Sequence, residues 1–151
     1  MKIGPFIFIW RQAGGLSECP YFRRTIASLF GYSIRVHEWY ADDDTRHFHD
    51  HPQWFWTLIL RGGYTDVSPD GEDRLRFGSI RYRPADYAHA VTDVIPKTVS
   101  VLLAGKPVRR WGFWVDGKLI KRDKYFATKG HHPCDPVNDE PVRLKPHGER
   151  I

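Results

Sequence analysis

Between residues 32 and 115 the chain runs as short apolar and aromatic segments cut every few residues by Gly, Pro or Asp, and this spacing limits the possible folds more than any other feature. Segments of four to eight residues are too short for core helices. Alternation along them puts every second side chain on one face, as a half-buried strand requires. Residues 33–40 show the pattern: Arg35, His37 and Trp39 fall on one face, and Ile34, Val36 and Glu38 on the other. Segments at 46–51, 55–60, 64–67, 74–77, 80–83, 90–94, 99–103 and 111–115 follow, with turn signals at Gly62-Gly63, Pro69-Asp70-Gly71 and Pro84. Many short strands joined by turns predict a mainly β sandwich or barrel.

The two ends read differently. Residues 6–10 are an apolar run that predicts a buried strand, broken at Gly14-Gly15. Ser17 is a suitable N-cap, Pro20 is tolerated in a first turn, and Phe22, Ile26, Leu29 and Phe30 recur at helical spacing before Gly31. One helix is therefore predicted, near residues 18–30, packed on the sheet. Residues 128–151 carry four prolines and little periodicity, and read as a Pro-rich tail that wraps the domain or is disordered. The expected organisation is a single β domain over residues 1–127, followed by this tail.

Composition narrows the class. A chain of 151 residues fits one domain with a real core, and 15% aromatic residues are too many for a disordered chain. The net charge of +5 permits an acidic ligand, but Lys and Arg are scattered, with short pairs only at Arg23-Arg24, Arg109-Arg110 and Lys121-Arg122. A nucleic-acid partner is not indicated by that pattern. Cys19 and Cys134 stand alone, which reads as two reduced thiols in a cytoplasmic protein. The 6–10 run is too short for a signal-peptide core, and no apolar stretch can span a bilayer, so no membrane partner is expected.

The chemistry concentrates in Arg46-His47-Phe48-His49-Asp50-His51-Pro52. A strand there projects His47, His49 and His51 to one side and Asp50 to the other. Neutral imidazoles two residues apart suit Zn, Fe, Ni, Cu or Mn, although a surface histidine cluster has the same sequence. Downstream stand Gly62, Gly78, Pro84 and His89.

Together these residues resemble the two motifs of the cupin superfamily. The first family motif is a His-x-His, a Glu four residues on and a Gly seven further; His49, His51 and Gly62 match it. The second is Gly-x5-Pro-x-Gly-x2-His-x3-Asn, matched by Gly78, Pro84 and His89. Phe55 replaces the usual glutamate ligand, Asp86 the glycine and Asp93 the asparagine. The resemblance covers residues 33–115 and implies a cupin-type double-stranded β-barrel with a three-histidine metal site of His49, His51 and His89. Fe(II) is the ion it implies first, with Zn(II), Ni(II) or Mn(II) open. Asp50-His51-Pro52, residues 62–66 and residues 109–113 also resemble small cupin-like proteins of bacteriophage and prophage genomes, which implies a fold and a site but no substrate. Cupins often dimerise, and the strand at residues 6–10 is available for a homodimer.

Inward-facing arginines can hold a carboxylate or phosphate of a small-molecule substrate. Arg35, with His37 and Trp39, and Arg110, alternating with Gly112 and Trp114, are placed for this. His47, Tyr82 and Arg110 are the catalytic candidates, while Tyr64 and Asp66 are candidates to support the ligands. Most of Trp39, Trp54, Trp56, Trp111 and Trp114 are expected in the core. His131-His132-Pro133-Cys134 has metal-binding residue types but no second half, and no phosphate loop or nucleophile elbow is present. Three functions follow: a metal-dependent oxygenase, a metal-dependent isomerase or lyase in which His47 or Tyr82 moves a proton, or a non-catalytic binding module of phage origin.

Overall fold

The computed structural model describes residues 2–3, 7–16, 18–132, 134 and 142–144. In chain order the strands are β1 (Lys2–Ile3), β2 (Ile7–Leu16), β3 (Cys19–Leu29), β4 (Tyr32–Trp39), β5 (Phe48–His49), β6 (Phe55–Arg61), β7 (Gly63–Ser68), β8 (Gly71–Arg76), β9 (Ile80–Arg83), β10 (Ala90–Thr92), β11 (Thr98–Ala104), β12 (Gly112–Val115) and β13 (Lys118–Lys121). Helix α1 (Arg122–Lys129) and strand β14 (Val142–Leu144) follow. One large antiparallel sheet has the order β1-β2-β3-β4-β11-β6-β9, with β14 also paired to β2. Two three-stranded sheets, β10-β7-β8 and β13-β12-β5, are tied together by an isolated bridge between His49 and His89.

The core lies between these layers. Ile59 of β6 packs with Tyr64, Leu75 and Val91 of the β10-β7-β8 sheet, with Trp39 and Val94 against them. A second cluster, Phe113, Val115 and Tyr125, seats α1 on β12, and the Phe113 and Tyr125 rings stack at 3.9 Å. The sheets do not close on themselves, so the expected barrel is instead a two-layer β-sandwich.

The helix expected near residues 18–30 is β3, an eleven-residue strand between β2 and β4. The sequence signal was ambiguous because Phe22 and Ile26 are four residues apart, which puts them on one face of a helix and equally on one face of a strand. Leu29 is at odd spacing and settles the matter: Ile26 is buried, while Leu29 points outward and is 42% exposed. Gly31 ends no helix. Phe30 and Gly31 both have positive φ, 51° and 85°, and form the two-residue hairpin turn between Leu29 and Tyr32. Among the described residues the helix is α1, and it crosses the boundary placed between residues 127 and 128.

Part of the expected tail is built into the fold. Val142, Arg143 and Leu144 pair with Ala13, Gln12 and Arg11 of β2. A disulfide joins Cys19, at the start of β3, to Cys134, so the two cysteines are not free thiols. Disulfides persist where thiols are kept oxidised, which removes the cysteine argument for a cytoplasmic protein. Nor is β2 an open edge for dimerisation, because β3 covers one side and β1 and β14 the other. Among the described residues no helix is long and apolar enough to cross a membrane.

Candidate metal centre

His49 lies at the seam of the smaller sheets. It pairs with Phe113 of β12 on one side and forms a mutual backbone hydrogen-bonded pair with His89 on the other, each N–H to the facing C=O at 2.9 Å. Residues directly opposed in an antiparallel ladder project to the same face. His89 therefore delivers its ring beside His49, and His51, two residues on, delivers a third. The backbone N–H of His51 donates to the Ala85 carbonyl at 3.0 Å, which anchors this segment to the loop carrying the second motif. One ligand nitrogen from each of the three histidines lies within 4.8 Å of the others, and Nε2 of His51 is 2.7 Å from Nε2 of His89.

Hydrogen bonding sets the tautomer of His89. Its Nδ1 lies 2.6 Å from Oδ1 of Asp66, and an ionised carboxylate only accepts, so Nδ1 carries the proton and the Nε2 lone pair faces the cluster. Asp66 is buried and accepts in turn from Nε of Arg83 at 2.9 Å. Burial lowers the pKa of His49, with Asp43 opposing at 3.6 Å. Burial also holds His51 well below the ordinary imidazole value, reinforced by His89 and His49. Neutral imidazoles are the form that binds metal.

Phe55 is the departure from the family motif that matters at this site. It is buried, and its ring meets the His51 ring edge-on at 4.8 Å, so an apolar group stands where a carboxylate would complete the ligand set. Asp93 has a φ of 49°, a left-handed conformation that Asn and Asp both tolerate, which explains why the asparagine is replaceable. Asp86 has no positive φ, so nothing in the backbone requires glycine there. Gly62 and Gly78, which match the motifs, do sit at positive φ, 71° and 81°, and a Cβ at Gly62 would collide with Thr98 Oγ1.

Other candidates lie away from the cluster. His47 is outside β5, and its Nδ1 is 2.9 Å from the Tyr125 hydroxyl. Tyr82 is exposed on the outer face of β9, beside Trp56. Arg110 is exposed. Its neighbour Arg109 turns inward to Asp50, a fully buried carboxylate that also accepts from the Gly112 N–H at 2.9 Å and the Trp114 indole at 3.3 Å. Asp50 thus pins β5 to β12 and is not a ligand.

A cavity of about 590 Å³ opens beside the histidines, lined by all three and by Asp43, Phe55 and Trp111 together with the inner face of the large sheet. That face presents Arg35, His37 and Trp39, as their alternation indicated, and also Arg24. Arg24 escaped notice because it lay in the expected helix; read as a strand, β3 puts it on one face with Phe22 and Ile26. Burial, with Arg35 nearby, lowers Arg24 to about 10. His37 is buried, and among the described residues neither ring nitrogen has a hydrogen-bond partner. Burial pushes it well below its ordinary pKa, and Arg24 and Arg35 push the same way.

No protein-family model matches the sequence, and no curated protein matches it. Solved structures do match. The crystal structure of FeII HppE aligns with a TM-score of 0.54 at 11% identity, over 69% of this chain and 59% of that one. This chain therefore spans less than two thirds of that protein. A Klebsiella pneumoniae protein with a double-stranded β-helix domain aligns at 0.49 with 13% identity, over 60% and 81% of the two chains. A cupin-2 domain protein of Shewanella frigidimarina aligns at 0.43 with 12% identity, over 50% and 72%. Likeness at such identities is one of fold. Among the described residues the fold is mainly β with one helix, and the alignment with HppE is a likeness of that fold.

Proposed function

We propose that the protein is a metal-dependent enzyme of cupin-like fold that acts on a small molecule, with His49, His51 and His89 holding a divalent ion and Fe(II) the ion it uses. One observation carries the reading: three largely buried imidazoles converge on one point at the wall of a cavity large enough for a substrate. The donor set fits such an ion, since burial favours the neutral forms of His49 and His51 and one lone pair of His89 is aimed by Asp66. The FeII description of HppE supports iron. When bound, the ion supplies Lewis-acid or redox chemistry at its open positions. Asp66 holds the proton on Nδ1 of His89, Phe55 and Trp111 shield the histidines from water, and the large sheet orients the substrate. His47 and Tyr82 lie away from the cavity, so an isomerase or lyase would need a different base.

Metal-free protein reconstituted separately with Fe(II), Zn(II), Ni(II) or Mn(II) tests this against a panel of small organic acids. The proposal expects dioxygen uptake that needs both Fe(II) and a substrate. Turnover without dioxygen, under any of the four ions, would support an isomerase or lyase. Absence of turnover with every ion would leave the non-catalytic binding module.

A further inference from the structure

The inner wall of the large sheet carries two guanidiniums that no carboxylate of the described residues contacts. Arg24 of β3 stands directly opposite His37 of β4, and Arg35 lies two residues before His37 on the same face. Ser100 and Leu102 of β11 flank His37 and Arg35. Nε of Arg24 donates to the Gln12 side chain and Nε of Arg35 to Oγ of Ser33 at 3.0 Å, while both terminal nitrogens of Arg35 donate to the Gln53 amide oxygen. Among the described residues neither guanidinium is in ion-pair contact with a carboxylate. The two acids that line the cavity are placed elsewhere: Asp50 is taken by Arg109, and Asp43 faces His49 at 3.6 Å.

Half-buried guanidiniums with no carboxylate in contact among the described residues are unfavourable, and a buried imidazole whose two nitrogens find no partner there adds to that. A purely structural wall would be apolar here, as Ile26 and Leu102 are beside it. We propose that the cavity binds a small organic acid whose oxyanion seats between Arg24, Arg35 and His37 while the rest of the molecule extends to His49, His51 and His89. This names the substrate class and rests on the metal-site reading above for its second half. Arg24 keeps its terminal N–H groups, and Arg35 the N–H groups not given to Ser33 and Gln53, and these donors suit carboxylate and phosphate oxygens alike. His37 serves as donor or acceptor according to its tautomer.

Succinate, its neutral diamide and inorganic phosphate are suitable probes, titrated by calorimetry into intact wild-type protein. Arg24→Gln, Arg35→Gln and Arg35→Lys are the comparison variants, each checked for folding by circular dichroism. The proposal expects succinate or phosphate to bind, the diamide not to bind, and affinity to fall tenfold or more in either Gln variant. Arg35→Lys keeps the charge but loses the fork, and is expected to fall between wild type and Arg35→Gln. Succinate binding without phosphate binding assigns a carboxylate; the converse assigns a phosphate. Undiminished binding in a folded Arg24→Gln, Arg35→Gln double variant, or failure of both anions to bind wild type, overturns the proposal. His89→Ala separates the two readings: anion binding should survive there although the metal is lost.

Discussion

Nδ1 of His89 and Oδ1 of Asp66 lie 2.6 Å apart, both side chains buried, and this contact fixes which nitrogen of His89 faces the cluster. Asp66→Asn keeps the shape but can present an N–H to Nδ1, which would favour the wrong tautomer. Metal affinity should drop by about 10–100-fold, as for other outer-shell partners of metal-bound histidines. Competition titration against a chromogenic chelator measures it. Unchanged affinity would mean that His89 is oriented by the sheet alone.

His37, His49 and His51 are all shifted below their ordinary pKa, with burial the largest cause in each. A depressed histidine is neutral in the fold but protonates in the unfolded chain near pH 6.5. Below that pH the unfolded state binds more protons, so stability is present above about 6.5 and is lost as pH falls towards the folded values. Each group contributes a slope of up to about 1.4 kcal/mol per pH unit in that window. In metal-free protein, His37→Gln should flatten the fall of denaturation midpoint between pH 6.5 and 5. Parallel profiles for variant and wild type would show that His37 does not titrate in this way.

Much of this site was legible in the sequence, and the failures share a cause. His49, His51 and His89 could be matched because ligand spacing survives any change in the surrounding sheets. Arg35, His37 and Trp39 were placed on one face by simple alternation. Arg24 was lost because Phe22 and Ile26 satisfy helical and strand periods together, and only pairing of β3 with β2 and β4 decides between them. Asp66, a candidate to support the ligands, does so through His89, although nothing local to the sequence says which histidine it would meet. The Cys19–Cys134 bond spans 115 residues and has no local signature.

The Cys19–Cys134 bond closes a long loop, so chain-entropy arguments assign it up to roughly 5 kcal/mol. Cys134→Ser should lower the unfolding midpoint, and reductant should affect wild type but not the variant. Thiol titration of unreduced, unfolded wild type should find no free thiol; two reactive thiols would contradict the pairing.

Phe55→Glu restores the missing carboxylate at a buried position whose ring now meets His51. An uncompensated buried carboxylate is unfavourable, so the metal-free variant should unfold earlier than wild type. Added metal should raise its midpoint by more than it raises that of wild type, since binding to the folded state stabilises by mass action. Equal shifts in the two proteins would show that residue 55 does not reach the ion.

Metal content per chain, measured by elemental analysis after reconstitution and removal of excess ion, tests the central claim most directly. Wild type should hold about one ion, as a single three-histidine site requires. His49→Ala, His51→Ala and His89→Ala should each lose most of it while retaining the β circular-dichroism spectrum. His47→Ala should retain the ion, because its imidazole is engaged by Tyr125 and stands outside the cluster. Full occupancy in the three cluster variants would contradict the account and place the ion elsewhere.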